Sequence, residues 1–451
     1  MRIAIIAFDF PPYSAGGSFR PFRFAKYLQR NGTDTVVFSV SNYDDADRID
    51  RSFNESEYSF KIVRTALRKK RLFNALFKEY YFSITERLGI RWRDSLKRAF
   101  KKEHTAAQFD LLLVTVPPFS VLKEARLLSK RFGIPLVTDF RDAWSQWCIT
   151  PFSTRIHYWL TKREELKTLK NSSLFIVPTN EVGEDLIHVH GEEYRNKILF
   201  LPNGFDALLP TEKNIDWNWK PGSKLIIGYA GSFYYNPESH SLIYSKWKEK
   251  KLYQMLQYVP RRENWLYRSP FFFFKGIRQL IDADPSYQEK IQIRIAGNQP
   301  SWITDMADHF NLKEIVKFYG HVKKIEMNNF YKNCDILLST SIKVEGGFDY
   351  CIGGKTYEYF LVKKPILGLV CDGAQKTILQ QSGMSIICDP DQPDQLVNII
   401  NNISELVNSL RINNEFLSRF SIENQGEILL KSLKKIIKPL HEEKESNHLP
   451  L

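Results

Sequence analysis

The chain has 451 residues, 43% of them hydrophobic, and a formal net charge of +13 at pH 7. That length allows two or three domains and that apolar fraction fills their cores, which excludes a disordered or fibrous chain. The cysteines (Cys148, Cys334, Cys351, Cys371, Cys388) are odd in number and contain no C-x-x-C pair, which argues against a disulfide framework or a zinc site and for a reducing cytoplasm.

The N-terminal apolar run, Arg2 to Phe8, has strand length. Asp9 and two prolines break it too early for a signal peptide, and no later stretch approaches the roughly 18 apolar residues of a membrane span, so the chain is expected to be soluble or peripheral. Pro11-Pro12 and the pair Gly16 and Gly17 follow, then Arg20 and a helical pattern over Phe19–Arg30 with Pro21 in its first turn. Strands are expected at Thr35–Val40, Leu111–Val116, Ile134–Phe140, Leu174–Val177 and Ile198–Leu201, with helices at Val121–Phe132, near Ile156–Leu169 and from Glu181. Continuous apolar strands alternating with helices imply a parallel sheet covered on both faces.

An insertion at 61–102 interrupts this rhythm. It holds 14 Lys/Arg and 3 Asp/Glu, interleaved with Leu72, Phe73, Leu76, Phe77, Tyr80, Tyr81, Phe82 and Trp92. Such a mixture suits an anionic membrane surface, or else a solvated basic helical pair that turns its aromatics inward. Nucleic acid is disfavoured, because no RNP, zinc-finger or helix-turn-helix signature accompanies the charge.

Pro202-Asn203-Gly204 reads as a turn that begins an interdomain linker, dividing the chain into domains at 1–204 and 205–420. The second half repeats the alternation with strands at Leu225–Gly231, Ile291–Gly297, Val316–Tyr319, Ile336–Ser339, Pro365–Val370 and Ser385–Cys388. A second insertion, 234–270, is rich in Arg, Lys, Trp and Tyr. A last amphipathic stretch within 421–440 carries Ile428, Leu429, Leu433, Ile436 and Ile437 on one expected helical face, with the first domain as its packing partner.

The segment richest in chemistry is Gly353-Gly354-Lys355-Thr356-Tyr357-Glu358-Tyr359. A carboxylate one turn inside a glycine-led helix start combines backbone N–H donors for phosphate with an acceptor for sugar hydroxyls. A leaving diphosphate also needs positive charge where its own charge develops. Lys275, Arg20, Arg141 and Lys355 are the candidates, although Arg20 and Arg141 would serve equally as ion-pair partners of Asp9 and Asp139. Asp142, after an apolar strand, is the acidic candidate for orienting or deprotonating an acceptor hydroxyl, or else a helix N-cap before Trp144. No His/Cys/carboxylate cluster has metal-ligand spacing, so no metal or other cofactor is expected to be required.

Taken in order, Pro11 to Gly17, Pro135 to Trp144, Leu201 to Gly204, Tyr229 to Ser232, Ile295 to Gly297, Phe318 to Val322, Asn333 to Asp335 and Lys355 to Tyr359 resemble the motifs of GT-B-fold glycosyltransferases of the retaining family 4 type, of the bacterial surface-polysaccharide kind. The resemblance covers nearly the whole chain apart from the two insertions. It implies an α/β protein of two Rossmann-like parallel-sheet domains facing across a cleft, with an acceptor-side first domain and a donor-binding second one. The implied reaction moves a sugar from a nucleoside-diphosphate sugar to a lipid-linked or surface glycan, such as a lipopolysaccharide, at the inner face of the membrane. In this scheme Glu358 accepts hydrogen bonds from the donor ribose, and backbone N–H groups around Lys355, Thr356 and Tyr357 hold the diphosphate. Gly16, Gly17, Gly231 and Ser232 would let backbone approach the donor, and His321 and Val322 would line the base pocket.

Three positions depart from the family pattern. Tyr350 stands where a second glutamate is usual, eight residues before Glu358, with Glu345 a distant substitute. Arg141-Asp142 stands where His-Asp is usual. Ser232 follows Gly231 in place of an arginine, which leaves Lys275 to neutralise phosphate. Arg20 and Asp139 are then assigned to the acceptor side, and Arg141 and Asp142 to catalysis. A nucleotide-sugar epimerase on the same fold, or a non-catalytic sugar-nucleotide-binding scaffold, are the alternatives. A dinucleotide oxidoreductase is disfavoured, since the first loop reads Ala-Gly-Gly-Ser and not G-x-G-x-x-G.

Overall fold

A computed structural model describes residues 1–14, 16–43, 49–50, 53–68, 88–146, 151–205, 214–233, 235, 255–322 and 324–446. The chain forms two compact units. The first comprises Met1–Asp206, Lys251–Pro260 and Ile422–Leu451, and the second Ala207–Lys250 and Arg261–Ser421.

The first unit is built on a seven-stranded sheet of β1 (Arg2–Ala7), β2 (Asp34–Val40), β3 (Lys61–Thr65), β4 (Leu111–Val116), β5 (Leu136–Phe140), β6 (Leu174–Val177) and β7 (Ile198–Phe200), in the order β3-β2-β1-β4-β5-β6-β7. Every pairing is parallel. All six residues of β4 and all five of β5 are buried, which is why these strands read as unbroken apolar runs. The edge strand β3 lies inside the basic insertion, for which the sequence offered a membrane-binding segment or a helical pair and no strand. Its Lys61 and Arg64 flank Ile62 and Val63, no residue of it is fully buried, as suits a sheet edge, and Lys61 pairs with Glu103 at 2.7 Å. The aromatic residues 72–82 of the insertion lie outside the described residues, whereas Trp92 is fully buried on the helix Leu88–Ala106.

The helix Ile422–Ser446 belongs to the first unit, packing Ile422, Leu429, Leu430, Leu433 and Ile437 into the core that also holds Ile3, Ile5, Tyr27 and Leu28. The expected face was rotated slightly. Ile428 is 42% exposed and Leu430 takes the inward position. Gly426 lets the helix press against Tyr27, whose ring occupies the space of a β-carbon there.

The second unit carries β8 (Leu225–Ala230), β10 (Ile291–Ala296), β11 (Val316–Gly320), β12 (Ile336–Thr340), β14 (Ile366–Leu369) and β15 (Ser385–Cys388) in a parallel sheet ordered β11-β10-β8-β12-β14-β15. β9 (Glu263–Asn264) and β13 (Lys343–Val344) form a separate antiparallel pair. Part of the second insertion therefore differs from expectation. Residues 255–260 group with the first unit, where Phe152 and Tyr258 exchange backbone hydrogen bonds of 2.9 Å and Tyr258 packs on Tyr158. Residues 234 and 236–254 lie outside the described set.

Candidate functional site

In the second sheet the strand order turns about between β8 and β12, the place where open α/β sheets bind ligands beyond their strand ends. Three glycines shape that edge. Gly231 follows β8 at φ +112°, and its N–H donates to the Ala296 carbonyl at 2.8 Å. Gly297 follows β10 at φ +142°, with its N–H on the Gly320 carbonyl at 2.7 Å. A β-carbon on Gly297 would overlap the Gly231 carbonyl, so the strand ends meet only because it is glycine. Ser232 supplies a carbonyl to Tyr229 Oη at 3.3 Å. His321, exposed, and Val322, half-buried, continue the chain beyond Gly320.

The helix Gly354–Val362 starts beside this edge, with Gly353 extended at its N-cap. Tyr359 fixes its placement, since its hydroxyl accepts from the Ala230 N–H at 3.2 Å and donates to the Leu338 carbonyl at 3.3 Å, joining the helix to β8 and β12. Gln375 fixes its start by accepting from the Gly353 N–H at 2.9 Å and donating to Thr356 Oγ1 at 2.9 Å. The Thr356 side chain is thus spent internally, and the Tyr357 ring packs on Phe360 and Phe420. These two residues contribute backbone alone to the helix start, whose first N–H groups have no intrahelical acceptor.

Lys355 does not reach outward from this helix. Its Nζ lies 3.2 Å from the centre of the Tyr229 ring, and no carboxylate pairs with it among the described residues. Burial, reinforced by the nearby positive charge of Arg268, holds its pKa well below the usual lysine value. Arg268 brings a guanidinium nitrogen to 3.8 Å from where a β-carbon on Gly353 would stand. Two basic side chains and a helix N-terminus therefore converge, with Asp349 within electrostatic reach of Arg268. The sequence offered Lys275 as a further candidate for neutralising phosphate. That residue is exposed on the helix Phe271–Ala283, and its charge bears on Asp391.

Glu358, exposed on the same helix, accepts from Tyr331 Oη at 2.6 Å through one oxygen and leaves the other without a partner among the described residues. At the departure from the family pattern, Tyr350 is buried under the Arg261 guanidinium at 3.6 Å. Glu345 does not fold back to replace it. It lies just beyond β13, facing Arg262 at 3.7 Å. The neighbouring Asp349 was missed in the sequence. It is 1% exposed, accepts from the Cys351 N–H at 2.8 Å, keeps Oδ2 without a partner, and burial pushes its pKa up to about 7.

In the first unit, Arg20 and Asp139 form a buried pair. Arg20 Nε and Nη2 reach both carboxylate oxygens at 2.8 to 3.0 Å, its remaining donors hold the Leu201 and Pro202 carbonyls at 2.7 and 2.8 Å, and Thr115 Oγ1 donates to Asp139 at 2.9 Å. With 4% and 0% side-chain exposure they fasten the first helix to β5 and the chain beyond β7, and are not presented to an acceptor. Breaking such a pair costs about 3–5 kcal/mol.

Arg141 is also held, donating through Nε to the Val116 carbonyl at 3.2 Å and through Nη2 to the Pro117 carbonyl, with Asp9 at 3.5 Å. A β-carbon on Gly17 would overlap its Nη1, whereas one on Gly16 would meet nothing. Gly17 makes room for Arg141 in this structure, and Gly16 stands open. Asp142, next in the chain, has no hydrogen bond or ion pair among the described residues. Burial raises its pKa against the opposing charges of Arg141 and Arg20. It caps no helix among the described residues: the next one, Arg155–Asn171, begins at Thr154, whose hydroxyl accepts from Ile156 and His157. The loop bearing Asp142 is tied down three residues later. Glu165 accepts from the Ser145 N–H at 3.0 Å and Oγ at 2.5 Å and meets His190 Nε2 at 2.7 Å.

Comparison with known proteins identifies the class. The family model described as Glycosyltransferase Family 4 matches residues 16–207, and that of Glycosyl transferases group 1 matches residues 262–413. The fold is shared with sucrose-phosphate synthase from Thermosynechococcus elongatus (14% identity over 97% of this chain and 99% of that one, TM-score 0.58). It is shared also with the apo form of the lipopolysaccharide outer core galactosyltransferase WaaB (10%, 96% and 99%, TM-score 0.57). A Listeria monocytogenes protein provisionally assigned as UDP-N-acetylglucosamine 2-epimerase has the fold too (11%, 97% and 97%, TM-score 0.51). No curated protein matches the chain in sequence. With both units matched, the chain belongs to the GT-B glycosyltransferases.

Proposed function

We propose that the protein transfers a sugar, with retention of configuration, from a nucleoside-diphosphate sugar to a lipid-linked or surface glycan such as a lipopolysaccharide intermediate, working at the inner face of a membrane. The observation that carries the donor reading is the meeting of Lys355, Arg268 and the helix start at Gly353 beside Gly231. A diphosphate leaving group is the ligand that such a cluster of positive charge fits. Glu358, with one oxygen held by Tyr331, presents the other to the ribose hydroxyls. His321 and Val322 contribute backbone near the base. In the first unit, Asp142 orients the acceptor hydroxyl, and Gly16, where a β-carbon would meet nothing, leaves its loop open for the donor phosphates. Neither a metal nor another cofactor is part of this scheme.

The deciding experiment is calorimetry with nucleoside diphosphates on the wild type and on Glu358→Ala, after mass spectrometry has identified the nucleotide sugar that the purified protein retains. Loss of one charged hydrogen bond predicts roughly 1.5–3 kcal/mol weaker binding. Unchanged affinity in a folded variant removes Glu358 from the site. Conversion of the donor to an epimeric sugar without any acceptor would replace transfer by epimerisation, and binding with no turnover of any kind would favour the scaffold reading.

A further inference from the structure

Three helices of the first unit, Leu88–Ala106, Leu122–Phe132 and Arg155–Asn171, follow β3, β4 and β5. The connections β3 to β4, β4 to β5 and β5 to β6 all run in one direction across the sheet, so right-handed crossovers place the three helices on the same face. Their neighbours confirm it, for Arg126 on the second reaches Glu164 on the third at 2.6 Å. The positive charge of this layer is concentrated on these three helices; the fourth helix of the same face, Asn180–His190 after β6, exposes Glu184, which pairs with Arg195 at 2.7 Å. The three helices expose five, three and three Lys/Arg side chains respectively, while none of their Asp or Glu side chains (Asp94, Glu103, Glu124, Glu164, Glu165) is exposed.

Large apolar side chains stand among these cations. Ile156 is 68% exposed, Trp159 57%, Leu127 51% and Ile90 49%. Ile156 and Trp159 are three apart and share one helical face, with the Arg163 guanidinium 5.8 Å from the Trp159 ring. Ile90, Ile156 and Trp159 all lie in the first two turns of helices that run back against parallel strands, which puts them at the sheet edge where β5 ends and Asp142 follows.

We infer that this three-helix face docks on an anionic bilayer, with Ile156 and Trp159 entering the headgroup boundary and the surrounding Lys and Arg meeting lipid phosphates. Charge complementarity selects that occupant. A second copy would bring the same excess of positive charge against itself, whereas anionic headgroups neutralise it and release it with salt. Tryptophan flanked by arginine suits the interface because the ring is apolar with one polar N–H and the long basic stems reach back to phosphate. Docking at this edge sets the Asp142 loop near the surface from which a lipid-linked acceptor would come. The purpose therefore rests on the function proposed above, but the contact itself does not.

The test is flotation of the full chain with vesicles of phosphatidylcholine alone and with 30% (about one third) phosphatidylglycerol, for the wild type, Ile156→Ser/Trp159→Ala and Lys97→Glu/Lys101→Glu. The wild type is expected to float with anionic vesicles only and to be released as salt rises. Each double variant is expected to lose about tenfold or more in partitioning, and the aromatic variant also to lose the blue shift of tryptophan emission that vesicles induce. Wild-type partitioning in both variants, or recovery with neither vesicle, overturns the inference. So does concentration-dependent dimerisation that Trp159→Ala abolishes in the absence of vesicles. Nucleoside diphosphate calorimetry on the same variants separates the two proposals. Normal nucleotide binding with lost flotation supports the docking face, whereas normal flotation in a wild type that binds no nucleotide removes the transferase reading and leaves the face.

Discussion

The guanidinium of Arg141 fills the space that a β-carbon on Gly17 would occupy. Two candidates that the sequence treated as separate, a glycine for close approach to phosphate and an arginine beside the reacting sugar, are thus one packing unit. Arg141 is further fixed by the Val116 and Pro117 carbonyls and by Asp9, all at the ends of neighbouring strands.

Gly17→Ala should therefore act through Arg141. The alanine methyl must push the guanidinium from its carbonyl partners, so we expect a loss of stability of about 1–3 kcal/mol, the usual range for overpacking. In an Arg141→Ala background the same change should cost much less, because the obstructing group is gone. Denaturant titration of the four proteins measures the coupling, and additive effects would show that Gly17 and Arg141 are independent.

Lys355 gives an opposite pattern. Its charged form is disfavoured by burial, and the folded pKa lies below the unfolded one. The unfolded state then binds more protons, so this group makes stability rise with pH and weakens the fold as pH falls through its folded and unfolded range. Lys355→Met should raise stability at neutral pH while weakening nucleoside diphosphate binding by roughly tenfold or more, since a charged hydrogen bond is worth about 1.5–3 kcal/mol. If diphosphate restores the charge on Lys355, binding takes up protons. Calorimetry in buffers of different ionisation enthalpy should detect this in the wild type and not in the variant.

These cases mark what the sequence could reveal. The helix start at Gly353 and the strand-end glycines were legible because glycine placement and apolar runs are local signals. Arg268 was not, because it lies inside the second insertion and only the 3-10 turn Trp265–Arg268 brings it to Gly353. Nor does a sequence choose between partners. Arg20 and Asp139 are 119 positions apart, and their mutual burial appears only when the helix and β5 pack together. The strand β3 was hidden by its own charges, which an edge position tolerates. Leu430 replaced Ile428 because a rotation of one or two residues is beyond what a 3.6-residue period resolves.

Asp349 should report on pH through stability. Its folded pKa is raised to about 7 from the model-peptide 3.8, so the folded state holds a proton that the unfolded state has lost over that interval. The group's contribution is fully present below the unfolded pKa and is lost as pH rises from about 4 to about 7. Asp349→Asn keeps an acceptor for the Cys351 N–H and never ionises. It should be nearly neutral below about pH 4 and increasingly stabilising as pH rises toward 7, with a ceiling of about 4 kcal/mol at 1.36 per pKa unit. Chemical unfolding at the two pH values checks this, and an equal effect at both would mean that Asp349 does not titrate there.

The last test concerns Asp142, the one acidic candidate of the first unit whose carboxylate has no described partner. Its loop is anchored by Ser145 on Glu165, not by the carboxylate itself, so Asp142→Asn should leave the fold intact. If the carboxylate orients the acceptor hydroxyl, the variant should lose about a hundredfold or more in turnover with nucleotide affinity unchanged, because the lost interaction belongs to the transition state. The raised pKa adds a second signature. Below that pKa the group is protonated and cannot accept, so wild-type kcat should fall on its acidic limb at a pH above the ordinary aspartate range near 4. Asp142→Asn should abolish that limb. A variant with normal turnover and an unaltered pH profile would move the acceptor's activation to the donor's own phosphate oxygens, close to Lys355 and Arg268.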